Sequence, residues 1–417
     1  MPHRLSGLRD PVELVHDGES FLAERGESLA VALLAADRLP LARSPKLHRP
    51  RGPYCLRGGC DGCLARVDGV PNVMTCLRAA RGGEQIETQN VLGTRETDLM
   101  RAADFLFPRG LDHHRLFAGV RGFSSVVQGF ARRVAGLGLL PERVQETRDA
   151  RPLEVEVLIV GGGAAGLGAA AQLGSRNSLL VDEGLTLGGS LGLLDPAGAR
   201  EAIDAARDAG VTCLTETSAI GAYREPESGA LHALLVGPQG ALLVSARFVL
   251  VASGGHDPVG AFEGNDLPGV ISARAALKLW RAGVAPAKRV VCAGSGRFER
   301  ALAAAGATHF ELLRIDAGAM VRATGRTRLS SVIVRDQRGE RRISAGALAI
   351  EGALCPSTEL AVQAGAAVEF DPARGYVPKR DRSGRVADRV FCAGSCAGGG
   401  DSLADGARVA RAIAAAR

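Results

Sequence analysis

Short apolar runs that end in glycine and lead into alanine-rich stretches recur along this chain. That pattern predicts an α/β protein built on buried parallel strands. Its clearest instance is Val155–Gly168, where Val155, Val157, Leu158, Ile159 and Val160 suit a buried strand. Gly161-x-Gly163-x-x-Gly166 follows at once, then a helical run to Leu173 and a second apolar strand, Ser178–Val181, ending on Asp182 and Glu183. Strand, glycine turn, helix and acid in this register form the dinucleotide fingerprint. Gly161 permits the tight turn, Gly163 lets a pyrophosphate approach the backbone, and Gly166 lets the helix lie close on the sheet. The helix start, Ala164 and Ala165 included, offers free N–H groups to phosphate, and an acid after the second strand is placed for a ribose hydroxyl.

The same reading organises the rest. Val12–His16 and Ser20–Ala23 around Asp17-Gly18 predict a hairpin, and Ser28 can cap a helix over Leu29–Ala36. With strands over Val70–Thr88, these fit a small ferredoxin-like β-grasp domain. Arg95–Phe107 and Ser124–Leu139 carry helical spacing and predict a connector and docking segment. Gly188-Gly189-Ser190 places a second glycine turn beside the first, and Phe248–Gly254 is a buried strand ending at Ser253-Gly254. Arg289–Ala293 and Gly294-Ser-Gly296 repeat the strand and turn, but Glu299 stands at the third glycine position and no acid ends a convincing second strand. That repeat predicts a degenerate nucleotide domain kept as scaffold. Val390–Gly394, Gly398–Gly400 and a helix over Leu403–Ala416 return to the first nucleotide domain. The expected divisions are 1–95, 96–150, 151–285, 286–350 and 351–417.

Composition narrows the class. A hydrophobic fraction of 46% with 4% aromatic residues over 417 residues suits a core of Ala, Val and Leu. The +6 balance comes from basic residues spread along the chain without a Lys/Arg block, which argues against nucleic acid as a partner. No apolar run reaches membrane-spanning length and none resembles a signal peptide, so the expected location is the cytoplasm.

Nine cysteines in such a chain point to a metal or redox site rather than disulfides. Four of them form Cys55-x4-Cys60-x2-Cys63-x12-Cys76, the plant-type [2Fe–2S] spacing in which one loop wraps the cluster and a distant cysteine closes it. Gly58, Gly59 and Gly62 let loop amides turn toward the sulfurs. Zinc is the rival, although structural zinc usually shows paired C-x2-C knuckles. The pair His113-His114 has no cysteine nearby and is a weak candidate for metal ligation. Cys213, Cys292, Cys355, Cys392 and Cys396 are expected as buried small residues.

His48-Arg-Pro-Arg-Gly52, GGGAAG at 161–166, ASGGH at 252–256, DLPGV at 266–270 and AGSCAGGG at 393–400 together resemble the α subunits of the sarcosine oxidase group. That group includes the opine, D-amino-acid and proline dehydrogenases and the hydrogen cyanide synthase. The resemblance covers essentially the whole chain. It implies a fold similar to the two-dinucleotide-domain disulfide reductases, with nucleotide contacts at Gly161, Gly163, Gly166, Glu183, Gly188, Ser253, Gly254 and Gly394. Ala164, Ala165, Asp182, Gly189, Ser190 and Ser395 adjoin them and complete the candidate set. It further implies an α subunit that carries electrons and a separate flavoprotein β subunit, similar to D-amino-acid oxidases, in a heteromer such as α2β2 or larger. FAD is the implied nucleotide, with NAD or ATP as alternatives, and some members hold FMN where subunits meet. Ser395 departs from the Gly-Asp pair of flavin-binding relatives. The family's folate-binding aminomethyltransferase-like domain and C-terminal cysteine-rich domain have no counterpart in these residues, so formaldehyde capture is not expected of them.

The expected function is electron transfer within a heteromeric amine or imino-acid dehydrogenase. Rival readings are a stand-alone NAD(P)H reductase and a structural subunit whose nucleotide never turns over. Arg49 and Arg51, flanking a proline ahead of the cluster loop, are candidates for a phosphate contact at the partner interface.

Overall fold

In Pro11–His16, buried Val12, Leu14 and His16 alternate with more exposed neighbours, so one face of the strand seeks a core. The protein is seen here as a computed structural model that describes residues 2–44, 48–91, 93–99, 141, 149–175, 177–306, 308–337, 339–400 and 402–416. The expected segment over 100–140, with His113 and His114, and nearly all of the 96–150 connector lie outside the described residues. The chain divides into two units, Met1–Gln145 with Val259–Glu351, and Glu146–Pro258 with Gly352–Arg417.

The first unit contains the hairpin Pro11–His16/Glu19–Glu24. Asp17 and Gly18 both take positive φ, the geometry a two-residue hairpin turn requires. Five strands follow the order Glu19–Glu24, Pro11–His16, Gln85–Glu87, Leu64–Val67, Val70–Met74, with the second and third parallel. The helix Leu29–Ala35 contributes a wholly buried face, and its start is capped by Ser28 Oγ, which accepts from the Val31 amide at 3.3 Å. This is a β-grasp domain.

The same unit holds a four-stranded parallel sheet in the order Val270–Ser272, Ala347–Ile350, Arg289–Ala293, Glu311–Ile315. Helices Ala273–Arg281 and Arg297–Gly306 and the antiparallel strands Met320–Gly325, Leu329–Asp336 and Gly339–Ser344 complete it. Three sequence expectations change here. The boundary at 285 is too late, because Val270–Ser272 pairs with Leu348–Ile350 and so belongs to this second sheet. The helix after the second turn is not short, running Arg297–Gly306. A second strand does end on an acid, Asp316, whose carboxylate accepts from the Gly318 amide at 2.7 Å and caps a short turn.

The second unit is built on Arg151–Val160, flanked by Ser178–Val181 on one side and Gly240–Val251 on the other, both parallel to it. Thr212–Leu214 extends the sheet beyond Ser178–Val181. Gly240–Val251 also forms a hairpin with Leu231–Gly237 through its first half and pairs with Val390–Cys392 through its end. Period-two alternation divides the apolar residues between two cores. Val157, Ile159, Leu180 and Leu250 face the helices, whereas Leu158, Val249 and Val251 face the opposite layer. Among the described residues no helix is long and apolar enough to cross a membrane.

Helix Ala164–Leu173 packs backbone to backbone on Leu403–Ala415: a Cβ at Gly406 would overlap Ala165 O, and one at Gly168 would overlap Leu403 O. Gly406→Ala should therefore force the two helices apart and destabilise the fold by about 1–3 kcal/mol. A urea denaturation midpoint equal to that of the unsubstituted chain would contradict this packing.

Candidate functional site

The cysteine loop presents two pairs of thiols. Cys55, Cys63 and Cys76 are buried and Cys60 is half-buried. Cys60 meets Cys55, and Cys63 meets Cys76. The Cys55 thiol lowers Cys60 to about 6; burial opposes this, and the amides of Gly62, Cys55 and Tyr54 add to it. In the other pair the Cys76 thiol lowers Cys63, and Cys76 itself is raised. Two further main-chain donors point inward: the Arg57 amide to Cys55 Sγ at 3.5 Å and the Gly58 amide to Cys76 Sγ at 3.2 Å. No three His, Cys, Asp or Glu among the described residues gather as they would about one ion. Two thiol pairs ringed by amides instead fit a two-metal cluster, one pair to each metal.

Ahead of this loop, Arg51 Nη1 meets Asp266 Oδ2 at 2.9 Å, and Arg49 Nη1 reaches the same oxygen at 3.8 Å. A Cβ at Gly52 would lie 2.9 Å from Pro268 Cβ. The two motifs HRPRG and DLPGV are thus partners of each other. Arg51, a candidate for a phosphate contact, is engaged through Nη1 by an internal carboxylate. His48, also in the first motif, is buried with Nδ1 3.0 Å from Asp98 Oδ2.

In the second unit the fingerprint turn separates what the protein needs from what a ligand would need. A Cβ at Gly161 would overlap Ala252 O and one at Gly166 would overlap Gly161 O, so packing alone demands both glycines. A Cβ at Gly163 would meet nothing within 4 Å, and the same holds for Gly254. Gly163 is the N-cap of Ala164–Leu173 and, as a glycine, supplies no side-chain cap. The result is a cradle that a Cβ would fill, at a helix start whose N–H groups suit an anion. Gly188 adjoins it through a 2.8 Å bond from its amide to Gly162 O, and Gly189 lies against Gly163.

The two acids divide their work. Asp182 Oδ2 accepts from the Gly162 amide at 2.6 Å and Oδ1 from Gly184 at 2.7 Å, so Asp182 braces the turn. Glu183, the next residue, is exposed. Ser253 Oγ donates to Ser357 O at 2.9 Å, and Ser395 is buried. Ala164 and Ala165 are buried in the first turn of the helix, and Ser190 is the second residue of the helix Gly189–Leu194.

Sequence reading missed Asp405. It lies in the first turn of Leu403–Ala415, where an acid is expected as ordinary helix chemistry. Its Oδ2 accepts from the Gly394 amide at 2.8 Å, and Arg380 and Arg408 meet it at 3.2 and 2.7 Å. Burial alone would raise this carboxyl, but the Gly394 amide, Arg408 and Arg380 together hold it below its ordinary 3.8.

The second glycine turn, in the first unit, is closed. A Cβ at Gly294 would overlap Glu351 O, and one at Gly296 would overlap Glu351 Oε1. Glu351 Oε2 accepts from the Glu299 amide at 2.8 Å at the start of Arg297–Gly306. Glu299 is itself buried and paired with Arg314. A carboxylate of the chain therefore sits where a pyrophosphate would rest. Of the remaining cysteines, Cys292, Cys392 and Cys396 are buried as expected, Cys213 is half-buried, and Cys355 is exposed, contrary to expectation.

Residues 9–91 match the model of a 2Fe-2S iron-sulfur cluster binding domain. The sarcosine oxidase α subunit of Rhizobium meliloti (strain 1021) is 30% identical over 308 residues, covering 67% of this chain and 31% of that protein. That of Corynebacterium sp. (strain P-1) is 30% identical over 288 residues, covering 63% of this chain and 26% of its own. The chain thus spans less than a third of these relatives' length. L-proline dehydrogenase from P. horikoshii shares the fold, with a TM-score of 0.73 at 22% identity over 99% of this chain and 75% of that one.

Asp405 sets a pH dependence. Its lowered folded-state value means that its stabilisation is complete above 3.8, the unfolded value, and is lost as pH falls through the folded value. Asp405→Asn should cost about 1–3 kcal/mol at pH 6 by leaving the Gly394 amide and two guanidiniums poorly matched. The gap to the unsubstituted chain should narrow toward pH 3, measured by urea denaturation at both values.

Proposed function

The chain belongs to the family of sarcosine oxidase α subunits, and from that premise we propose that it is the electron-carrying subunit of a heteromeric flavin-dependent dehydrogenase or oxidase. Its substrate class is an amino or imino acid with an oxidisable C–N bond, of the sarcosine, proline, hydroxyproline or opine type. The amine is oxidised on a partner β flavoprotein similar to D-amino-acid oxidases. The relatives' designation as α subunits supports a heteromeric partner.

The observation that carries this reading is the contrast between the two glycine turns. One leaves a helix start uncapped beside Gly163, and the other closes its helix start with Glu351. One nucleotide and one cluster on a single chain make a carrier of electrons. A reductase fed by NAD(P)H needs the second turn open, so the stand-alone reading is disfavoured.

In this proposal Cys55, Cys60, Cys63 and Cys76 hold a [2Fe–2S] cluster, and the amides of Arg57 and Gly58 stabilise charge on the sulfurs. The nucleotide is FAD. Its pyrophosphate rests against Gly161, Gly163, Ala164, Ala165 and Gly166, and Glu183 takes a ribose hydroxyl. Gly188, Gly189, Ser190, Ser253, Gly254, Gly394 and Ser395 line the remaining approach. When bound, the flavin supplies interconversion between two-electron and one-electron transfer, while the chain orients it and sets its potential. Asp405 stiffens the Gly394 turn against which it lies. FMN at the junction with the partner completes the proposed set.

Anaerobically purified protein should contain two iron and two sulfide per chain, as a [2Fe–2S] cluster demands. Cys60→Ser should lose the cluster's paramagnetic signal while nucleotide occupancy stays. Stoichiometric zinc without iron refutes the cluster.

Gly163→Val should fold, because a Cβ at this position meets no protein atom within 4 Å, yet retain almost no nucleotide on gel filtration. Mass spectrometry of the nucleotide released from the unsubstituted chain distinguishes FAD from NAD or ATP. The chain alone should be inactive toward sarcosine, proline or opines with dye acceptors and gain activity with the β flavoprotein. Turnover at enzymatic rates by the chain alone would overturn the subunit assignment.

A further inference from the structure

The peptide unit joining Leu56 to Arg57 is held at both ends. Its N–H donates to Cys55 Sγ at 3.5 Å, and its C=O accepts from Lys278 Nζ at 2.6 Å. Leu56 adopts φ +53, a left-handed conformation in which an L side chain is disfavoured, so the loop needs an external grip. Lys278 lies on Ala273–Arg281, whose N-cap residue Ser272 donates its amide to Tyr54 O at 3.0 Å. One helix therefore fastens the residues on either side of Cys55. That helix belongs to the domain whose own phosphate position is filled by Glu351.

We propose that Lys278 raises the reduction potential of the cluster by placing a positive charge on the Leu56 carbonyl and polarising the peptide whose N–H meets Cys55 Sγ. A cationic donor on the C=O strengthens the hydrogen bond made by the N–H of the same unit. The cluster gains one electron on reduction and becomes more negative, so nearby positive charge favours the reduced form. Part-burial of the loop limits screening by solvent. The domain that lost nucleotide binding thereby contributes to electron transfer through the charge it carries to the cluster.

The inference rests on the [2Fe–2S] reading and is tested on the full chain by potentiometric titration with paramagnetic resonance detection. Lys278→Gln keeps an N–H donor for Leu56 O and removes the charge. It should shift the midpoint to more negative values with iron and sulfide content unchanged. Lys278→Arg should stay near the unsubstituted value, and Lys278→Met, without donor or charge, should fall at least as far as Lys278→Gln. An unshifted midpoint in Lys278→Gln overturns the proposal. So does loss of iron from that variant, since the charge would then serve assembly rather than potential. Zinc without iron in the unsubstituted chain overturns the cluster reading itself, and this proposal with it.

Discussion

The first turn of a helix carries N–H groups without intrahelical partners and about half a unit of positive charge, and something must satisfy them. This protein answers that requirement in two ways in two similar folds. At Ala164–Leu173 the turn is built by glycine, and the N-cap residue, Gly163, has no side chain with which to cap it. At Arg297–Gly306 the carboxylate of Glu351 accepts from the Glu299 amide and fills the space above Gly296. A single carboxylate of the chain thereby satisfies the helix start and occupies the space above the second glycine turn.

That scaffold still serves the chain. Helix Ala273–Arg281 holds Tyr54 through Ser272 and Leu56 through Lys278, while Asp266 engages Arg51 and Pro268 packs on Gly52. A short loop whose Leu56 takes a left-handed φ is thereby tied to a larger neighbouring core. Rigidity matters here because amide-to-sulfur geometry sets charge stabilisation at the cluster.

Main-chain donors recur at both candidate sites. Arg57 and Gly58 amides face the cysteine sulfurs, and Gly162 and Gly394 amides are braced by Asp182 and Asp405. Side-chain acids thus fix the backbone at these two turns. Such preorganisation lowers the cost of ordering a loop when a ligand arrives.

The sequence by itself determined whatever depends on local spacing. The cysteine loop, the fingerprint strand and helix and the Asp17-Gly18 hairpin are legible because each is a short pattern with one geometry that satisfies it. The weakness of the second glycine turn was legible too, in Glu299. Only the tertiary structure decided the long-range partners. Glu351 lies 52 positions from Glu299, and Asp266 lies 215 positions from Arg51; nothing in local spacing couples them. For the same reason Val270–Ser272, inside a Pro/Gly-rich stretch, could not be assigned to its sheet before Ala347–Ile350 was seen beside it. Asp182 and Glu183 are adjacent acids with equal claims in the sequence, and only the Gly162 and Gly184 amides around Asp182 separate brace from candidate ligand. Periodicity reports which face of an element is buried, whereas the partner of a charged group is set by where the folded chain returns.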